Sequence, residues 1–300
     1  MLLGVFTWTE FAQQIVSGLR DGAIYGGLAL ALVIIYRSTR AINFAQGEMA
    51  TFTTFIAWSL MNHGLSFWTA FPLVLAIAFS GGVAIERLII RPVENGPVIT
   101  IVIVTLGLAV LLNGLMSLIW GGGNRPFHGP FSTRTIDVGG VPISVQDIGI
   151  VAVSFALVAL LALFFRFTKL GLGLRAAALN RQSSELVGVR VGWMLAFGWG
   201  LAAVLGAVAG MMVAPVLFLD PNMMQTVLLY AFAAAVLGGL DSPLGAVIGG
   251  LLLGVTITLL GRYVGFVGQA LKLPTALLLI LLVLLVKPNG LFGRVAVRRV

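Results

Sequence analysis

A short polar segment interrupts the apolar sequence near its amino end. It contains Asn43, Gln46, Gly47 and Glu48, which stand at the beginning of a long apolar run. Amide groups and free backbone N–H groups at the start of a helix are the groups that a zwitterionic ligand needs, so these residues are candidates for a ligand path. They would serve equally well as a helix cap, with Asn43 and Gln46 as the capping pair and Glu48 in the first turn. The residues alone leave both interpretations open.

Residue patterns typical of enzymes are missing from the sequence. The chain has two widely separated histidines, His63 and His128, no HExxH motif and no cysteine, which argues against a zinc protease and against thiol chemistry. Ser242 is one residue away from the position that a G-x-S-x-G nucleophile motif requires. A G-x-x-x-x-G-K-[ST] loop is also missing, so ATP-driven work would need another chain. We expect no catalytic residues, no cofactor and no metal here.

The composition is that of a membrane protein. Of 300 residues, 59% are hydrophobic and 9% are charged, whereas an ordinary soluble domain has about 25% charged residues. The net charge of +8 could suggest nucleic acid as a partner. The Lys and Arg residues are scattered between apolar runs and form no basic patch, which favours a role in membrane topology instead. We therefore expect the lipid bilayer, and no nucleic acid, as a partner.

The apolar runs have the lengths of membrane-spanning helices. A bilayer core needs about 20 helical residues per crossing. The sequence predicts an all-α, polytopic transmembrane bundle that forms one domain over 1–300, with nine spans as the best count and eight or ten as alternatives. The predicted spans are 18–36, 44–61, 67–86, 98–119, 148–166, 193–218, 224–239, 244–260 and 273–287.

The distribution of basic residues predicts the orientation of this bundle. If the amino terminus is outside and the connections alternate, 13 of the 18 Lys and Arg residues lie on the inner side. The positive-inside rule then places the amino terminus outside and the carboxyl terminus in the cytoplasm. Two connections are long: 121–147 on the outer side, where a short hairpin is expected at 135–138, and 166–192 on the inner side, where a short amphipathic helix is expected.

Glycines spaced by four residues indicate close helix packing. Gly18, Gly22 and Gly26 share one predicted helix, and Gly245 and Gly249 share another. Without a β-carbon, two helix backbones can approach closely, and in lipid this packing replaces the hydrophobic driving force. We expect these glycines to lie at helix–helix contacts, and a sliding or gating surface is the alternative.

The polar segment also resembles a known family. Asn-Phe-Ala-Gln-Gly-Glu at 43–48 is similar to the Asn-Phe-Ala-His-Gly-Glu signature of permease subunits in branched-chain amino acid ABC importers, with Gln46 in the place of the histidine. Further segments resemble the same family in the same order: 22–30, 91–113, 170–189, 237–250 and 288–293. Each match alone is weak, and their order makes the resemblance strong.

The resemblance implies a multi-pass protein of the bacterial inner (plasma) membrane that works in a complex. The expected partners are a second permease subunit, related or identical, two cytoplasmic ATPase subunits and a periplasmic substrate-binding protein. This chain would then carry branched-chain or related amino acids by alternating access, with the energy supplied by the ATPases and 121–147 as the contact for the binding protein.

The resemblance also assigns site residues. The inner connection would dock into an ATPase, because small side chains permit close approach and charged ones form pairs at the rim. Its residues are Arg175, Ala176, Ala177, Ala178, Arg181, Glu185 and Gly188. The candidates for the translocation path are Asn43, Gln46, Gly47, Glu48, Thr105 and Asn113.

Three other functions compete with this one. The same kind of machine could import urea or short amides. A stand-alone channel or secondary carrier would need ionisable residues within its spans or an internal repeat, and the sequence shows neither clearly. An intramembrane enzyme lacks the residues for its chemistry.

Overall fold

The computed structural model describes residues 7–268 and 270–293, and these residues are mainly helical. A π-helical turn, Glu86–Ile90, and a 3-10 turn, Arg91–Val93, extend the third helix. The elements are α1 Trp8–Thr39, α2 Gln46–Asn62, α3 Phe67–Ile85, α4 Val98–Trp120, β1 Thr135–Val138, β2 Val141–Ser144, α5 Val145–Phe167, α6 Lys169–Leu179, α7 Arg181–Leu186, α8 Val191–Leu217, α9 Met223–Gly238, α10 Pro243–Tyr263 and α11 Lys272–Val286.

The predicted apolar segments coincide with helices. Each of the nine lies on one helix among α1 to α5 and α8 to α11. Within the described ranges, six helices are long and apolar enough to cross a membrane: α1, α3 with its extension, α4, α5, α8 and α10. The helices α9 and α11 are apolar but shorter, and α2 has 17 residues. The chain is thus a polytopic helical membrane protein, while the count of nine spans and the orientation stay predictions.

The chain forms two compact units. Unit 1 takes the described residues of 1–33, Phe131–Ser154 and the described residues of 226–300. Unit 2 takes Ile34–Pro130 and Phe155–Gln225. Three of the four boundaries fall inside α1, α5 and α9, so three continuous helices contribute to both units.

In unit 1, α1 and α10 meet through their backbones. A β-carbon on Gly22 would lie 2.8 Å from the carbonyl oxygen of Gly250, and one on Gly18 would lie 2.7 Å from the α-carbon of Val255. Gly26 approaches the α10 backbone in the same way, at 3.0 Å. Real β-carbons essentially never come closer than 3.0 Å to another heavy atom. Gly18 and Gly22 therefore lie where only a residue without a side chain fits, and a β-carbon at Gly26 would make an unusually tight contact.

The neighbouring face of α10 contacts α9. A β-carbon on Gly249 would lie 2.9 Å from the backbone nitrogen of Gly238, and Gly245 also abuts the Gly238 backbone. A second pair on α10, Gly250 and Gly254, faces α1 instead. A single helix thus uses two adjacent glycine pairs to approach two different helices.

Unit 1 also contains the hairpin predicted within 121–147. Strands β1 and β2 are antiparallel, with Val138 opposite Val141. Gly139 and Gly140 join them, with φ of 64° and 82°. Positive φ at both central residues is typical of the type I′ turn, whose twist suits a two-residue hairpin. The Asp137 side chain accepts a hydrogen bond from Gly140 N at 2.7 Å, which holds the turn closed.

In unit 2, α8 is the central helix and packs against α2 and α3. A β-carbon on Gly210 would lie 2.8 Å from the carbonyl oxygen of Ala50 on α2. On the α3 side, a β-carbon on Gly82 would lie 2.6 Å from the carbonyl oxygen of Trp199. Trp199 is fully buried. Small residues on both sides of α8 therefore allow α2 and α3 to pack closely against it.

Candidate functional site

The polar segment before α2 is a hydrogen-bonded cluster inside unit 2. Asn43 Oδ1 accepts a hydrogen bond from Ala45 N at 3.0 Å, and Asn43 Nδ2 donates to Gln46 Oε1 at 3.1 Å. Gln46 Nε2 donates in turn to the carbonyl oxygen of Ala202 on α8 at 2.8 Å. Both side chains are fully buried. They join the start of α2 to α8, and their amide groups are engaged within the chain.

The helix cap differs from the predicted one. Helix α2 begins at Gln46, so its N-cap residue is Ala45, which has no side-chain cap. Asn43 instead bonds the backbone two residues ahead of it, which is the geometry of an Asx turn. The asparagine therefore shapes the turn that leads into α2, and the predicted capping pair of Asn43 and Gln46 is wrong. Glu48 does lie in the first turn, as predicted.

Thr105 connects the same cluster to α4. Its hydroxyl donates to the carbonyl oxygen of Val102 at 3.0 Å and accepts a hydrogen bond from Phe44 N at 3.4 Å. The side chain is fully buried. Gly47 is also buried, and its carbonyl oxygen accepts a hydrogen bond from the Thr51 hydroxyl at 3.1 Å. Four predicted path residues, Asn43, Gln46, Gly47 and Thr105, are thus structural partners of one another or of the helices around them.

Glu48 is the polar residue of this cluster that keeps unused hydrogen-bonding capacity. Its side chain is 7% exposed. Among the described residues, no group within hydrogen-bonding distance partners its Oε2 atom. A buried polar atom without a partner is uncommon in folded proteins and calls for a specific explanation. Glu48 is therefore the strongest of the predicted path residues as a group that could meet a ligand.

Asn113 lies apart from the cluster. It is eight residues beyond Thr105 on α4, which corresponds to about 12 Å along a helix. Its Nδ2 atom donates to the carbonyl oxygen of Pro221 at 3.1 Å and to Asn222 Oδ1 at 3.0 Å. It joins α4 to the segment before α9. The structure thus brings five of the six predicted path residues to the start of α2 and leaves Asn113 elsewhere.

The connection 166–192, in which one short helix was predicted, contains two. Helix α6 begins where the Thr168 hydroxyl accepts a hydrogen bond from Gly171 N at 2.9 Å. Helix α7 begins where Asn180 Oδ1 accepts one from Ser183 N at 3.0 Å. Both are side-chain caps of the ordinary kind. Gly188, with φ of 83°, makes the turn from α7 towards α8. We call 169–188 the α6–α7 segment.

The small side chains of α6 do not form a uniform outer surface. Ala177 is buried and packs with Val191 and Leu195 at the start of α8. Arg175, Ala176 and Ala178 are half-buried. The small size of Ala177 therefore serves contact with α8, unlike the predicted role of this side chain in docking. The three most exposed apolar residues of the segment stand around α7: Leu179, Leu186 and Val187, which are 73%, 88% and 79% exposed.

Arg181 on α7 forms an ion pair with Glu94, which follows the extended α3. The Arg181 Nη2 atom lies 2.8 Å from Glu94 Oε1, and the Glu94 side chain is 9% exposed. The hydrogen bond that Arg181 donates to Glu94 raises the pKa of the Arg181 guanidinium. Glu185, one turn further along α7, lies 3.6 Å from Arg181 and is more exposed. The sequence assigned Arg181 to pairs with a partner, whereas the structure pairs it within the chain.

A second contact joins the end of α3 to the start of α8. The guanidinium of Arg87 lies over the ring of Trp193, 3.3 Å from its centroid. Such a position favours a cation–π attraction. Arg91 lies against Gly192, where a β-carbon would come 2.7 Å from Arg91 Nη2. The connection between α3 and α4 is therefore attached both to α7 and to α8.

The end of α2 that lies away from the polar cluster is rich in aromatic residues. Trp120 Nε1 donates to Ser59 Oγ at 2.7 Å, and Arg125 lies over the Trp58 ring at 4.7 Å. A cavity of about 340 Å³ opens beside them. It is lined by Trp58, Met61, Asn62, Leu65, Ser66, Phe67, His128 and Gly129. His128, one of the two histidines of the chain, thus lies on the wall of a cavity.

Sequence reasoning did not identify three residues that hold the α6–α7 segment in place. These are Arg87, Glu94 and Trp193. A signal was available, because Glu94 is an acidic residue shortly after Arg87 and Arg91 in a connection predicted to lie inside. An acidic residue among cations indicates an ion pair, but the sequence does not show which cation it meets.

Known proteins resemble this chain over nearly its whole length. The family model for the permease component of branched-chain amino acid transport systems matches residues 14–286. The high-affinity branched-chain amino acid transport system permease protein LivH of Salmonella typhimurium is 30% identical to this chain over an alignment of 306 residues. The alignment covers 97% of this chain and 98% of that protein. The corresponding permease protein BraD of Pseudomonas aeruginosa is 31% identical over 305 residues, with the same coverage.

A relative from an archaeon is more distant. The probable branched-chain amino acid transport permease protein LivH of Methanocaldococcus jannaschii is 27% identical over 284 residues, covering 89% of this chain and 87% of that protein. The polar cluster, the glycine contacts and the α6–α7 segment all lie within the residues that the family model matches. This chain belongs to the family of permease components of branched-chain amino acid transport systems.

Proposed function

We propose that this chain is the transmembrane permease subunit of an ATP-binding-cassette importer, and that it carries branched-chain amino acids across the bacterial inner membrane by alternating access. Two cytoplasmic ATPase subunits supply the energy, a periplasmic binding protein delivers the cargo, and a second permease subunit completes the path. The amino terminus lies in the periplasm and the carboxyl terminus in the cytoplasm. The cargo follows from the names of the relatives, which are branched-chain amino acid permeases.

The observation that carries the proposal is the form of the α6–α7 segment. Leu186 and Val187 are almost fully exposed, yet their segment is firmly attached to α3 and α8 through Arg181, Glu94 and Ala177. An apolar surface that is exposed on a well-anchored element favours contact with another protein. The sequence has no phosphate-binding loop of the P-loop type, so the energy must come from another chain. An ATPase that docks on this surface would supply it.

The buried cluster at the start of α2 supports a path that runs beside α2. Its amides are already engaged with one another and with α8, so they set the shape of this part of unit 2. Glu48, with its unpartnered oxygen, is then the group available to a substrate ammonium. Transport needs no tight site in this chain, because the binding protein can select the cargo.

Reconstitution into liposomes tests the proposal. The complete complex, with binding protein outside and ATP inside, is expected to accumulate labelled leucine, isoleucine and valine. The purified chain alone is the control and is expected to move none of them. Uptake by the chain alone would overturn the importer-subunit function in favour of a channel or carrier, and uptake of urea or acetamide without leucine would replace the cargo.

The orientation has its own test, which the absence of cysteine makes simple. Val138→Cys on the hairpin and Val187→Cys after α7 each introduce a single exposed thiol. In cells that express this chain without the ATPase subunits, a membrane-impermeant maleimide applied to intact spheroplasts is expected to label the first variant alone, and to label both after the membrane is broken. Labelling of Val187→Cys in intact spheroplasts would reverse the proposed topology.

A further inference from the structure

We propose that Arg181 and Glu94 form a joint through which movement of the α6–α7 segment reaches α3 and α4 during transport. The proposal rests on the proposed function, since the movement begins when the partner ATPases close. Arg181 and Glu94 are positioning residues in this account, because neither is required to touch the cargo or ATP.

The ion pair has the geometry and the surroundings of a specific contact. Its atoms are 2.8 Å apart, and the Glu94 carboxylate is largely shielded from solvent, with 9% of the side chain exposed. Charges that are shielded attract one another more strongly than charges in water. The pair joins two segments 87 residues apart in the chain, and no continuous helix connects α7 to the turn that holds Glu94. A displacement of α7 therefore acts on this turn through the pair.

A second, independent contact keeps the two ends in register. The stack of Arg87 on Trp193 fixes the end of α3 to the start of α8. Helix α8 follows α7 after a short connection, so the stack lies close in sequence to both partners of the ion pair: Arg87 precedes Glu94, and Trp193 follows Arg181. The ion pair and the stack together attach one end of the α3–α4 connection at two points, so that it follows the α6–α7 segment without pivoting on a single contact.

The element that receives the movement departs from α-helical geometry. The π-helical turn Glu86–Ile90, which includes Arg87 of the stack, and the 3-10 turn Arg91–Val93 lead from α3 to Glu94 of the ion pair. Single π-helical turns inside helices occur frequently at functional sites, and short 3-10 stretches often mark hinges. Glu86, within this turn, is buried, and its Oε2 atom has no hydrogen-bond partner in the part of the chain that the structure describes. Local backbone changes at this point can let α3 and α4 respond differently to the same displacement.

Charge reversal in the assembled transporter separates the joint from a purely structural contact. Glu94→Arg and Arg181→Glu each replace attraction with repulsion, and the double variant Glu94→Arg/Arg181→Glu restores the opposite charges in reversed order. The readout is the amount of leucine taken up per ATP hydrolysed. We expect each single variant to lower this ratio at least about fivefold, the lower end of the coupling factors between distinct sites, and the double variant to recover most of it.

Arg190→Glu is the matched control for Arg181→Glu. It makes the same charge change at an exposed position between α7 and α8, and we expect a wild-type ratio. A normal ratio in both single variants of the joint would overturn the proposal. So would a double variant as defective as the singles, because that result would show a need for the individual side chains and not for their pairing.

Cross-linking gives a second test that does not depend on the tolerance of charge reversal. In the cysteine-free chain, Glu94→Cys/Arg181→Cys removes the ion pair, and a short bis-maleimide then replaces it with a covalent bridge. We expect the uptake per ATP to fall in the double-cysteine variant and to rise again after cross-linking. A bridged complex that hydrolyses ATP without uptake would mean that the two residues must separate during the cycle, which contradicts the joint.

The wild-type complex in the same assay keeps the two proposals apart. If the wild-type complex takes up leucine with ATP and the variants match it, the joint is wrong and the importer function stands. If the wild-type complex takes up no leucine with ATP, the proposed function fails, and the joint fails with it.

Discussion

Gln46 on α2 and Gly206 on α8 are so close that a β-carbon on Gly206 would lie 2.7 Å from the Gln46 amide nitrogen. The same nitrogen donates to the carbonyl oxygen of Ala202, one turn earlier on α8. The glycine thus provides the space in which the glutamine side chain lies flat against α8. The hydrogen bond from Gln46 to Ala202 therefore requires a residue without a side chain at position 206.

Gly206→Ala is expected to destabilise the protein. The added methyl group forces the Gln46 amide away from Ala202 or separates the two helices, and overpacking of this kind costs about 1–3 kcal/mol. Thermal unfolding in detergent would show a lower midpoint. Gly198→Ala, on the same helix, meets its nearest atoms at ordinary contact distance, 3.6 Å and beyond, and should leave the midpoint nearly unchanged. Equal midpoints in the two variants would contradict the role of the space at Gly206.

The stability of Gln46 variants should depend on whether the new side chain can donate a hydrogen bond to Ala202. Gln46→Glu places a carboxylate against the carbonyl oxygen of Ala202, and loss of this buried bond is expected to cost about 1–3 kcal/mol. Gln46→His can keep a ring N–H for the same acceptor and should retain most of the stability. The unfolding midpoints of both variants measure this difference. A histidine variant less stable than the glutamate variant would show that shape, and not hydrogen bonding, controls this position.

The contact between α1 and α10 in unit 1 predicts different tolerance at two glycines of α1. Gly22→Ala would bring a methyl group within 2.8 Å of the α10 backbone, whereas Gly27→Ala meets nothing within 4 Å. We expect Gly22→Ala to reduce the yield of folded protein in size-exclusion chromatography. Gly27→Ala should be neutral or slightly stabilising, since alanine is favoured over glycine by about 1 kcal/mol in a helix interior. If both variants gave the wild-type yield, the backbone contact would not limit folding.

Substitutions of Ala177 and Leu186 are expected to affect different properties, namely stability at Ala177 and binding of the ATPase subunits at Leu186. Ala177→Arg inserts a long charged side chain into the contact with Val191 and Leu195, and it should lower the unfolding midpoint. Leu186→Ser changes a side chain that is 88% exposed, so the midpoint should stay the same while binding of the ATPase subunits weakens. Co-purification with the ATPases measures that binding. Normal co-purification of Leu186→Ser would remove α7 from the docking surface.

Much of the helical layout could be predicted because it depends on local properties. Apolar run length located the helices α1 to α5 and α8 to α11, and the hairpin expected at 135–138 is present, with β1 over those residues. The burial of Ala177 had a local signal too, since Gly171, Leu174 and Ala177 recur every three residues and form the buried face of α6. That spacing indicates an internal face, and it argues against a docking role for the alanine.

The candidate site depends on contacts that no local pattern shows. Gln46 bonds a carbonyl group 156 residues away, and Arg181 meets Glu94 across 87 residues. The residue types were sufficient to predict hydrogen bonds and ion pairs. The identity of each partner depends on how the helices pack, and this is why Arg181 was assigned to another protein and Asn43 to a helix cap.

The contact of Gly250 and Gly254 on α10 with glycines of α1 determines which second mutations can repair a substitution there, and Gly149 on α5 provides a contrast. At Gly149 a new side chain would meet the ring of Phe131, so a smaller residue at 131 could relieve the damage. At Gly250 and Gly254 a new side chain would meet the backbones of Gly26 and Gly22, which are already as small as residues can be. Selections for revertants of a Gly250 or Gly254 variant should therefore return the original codon, whereas those of a Gly149 variant should also return changes at a second position.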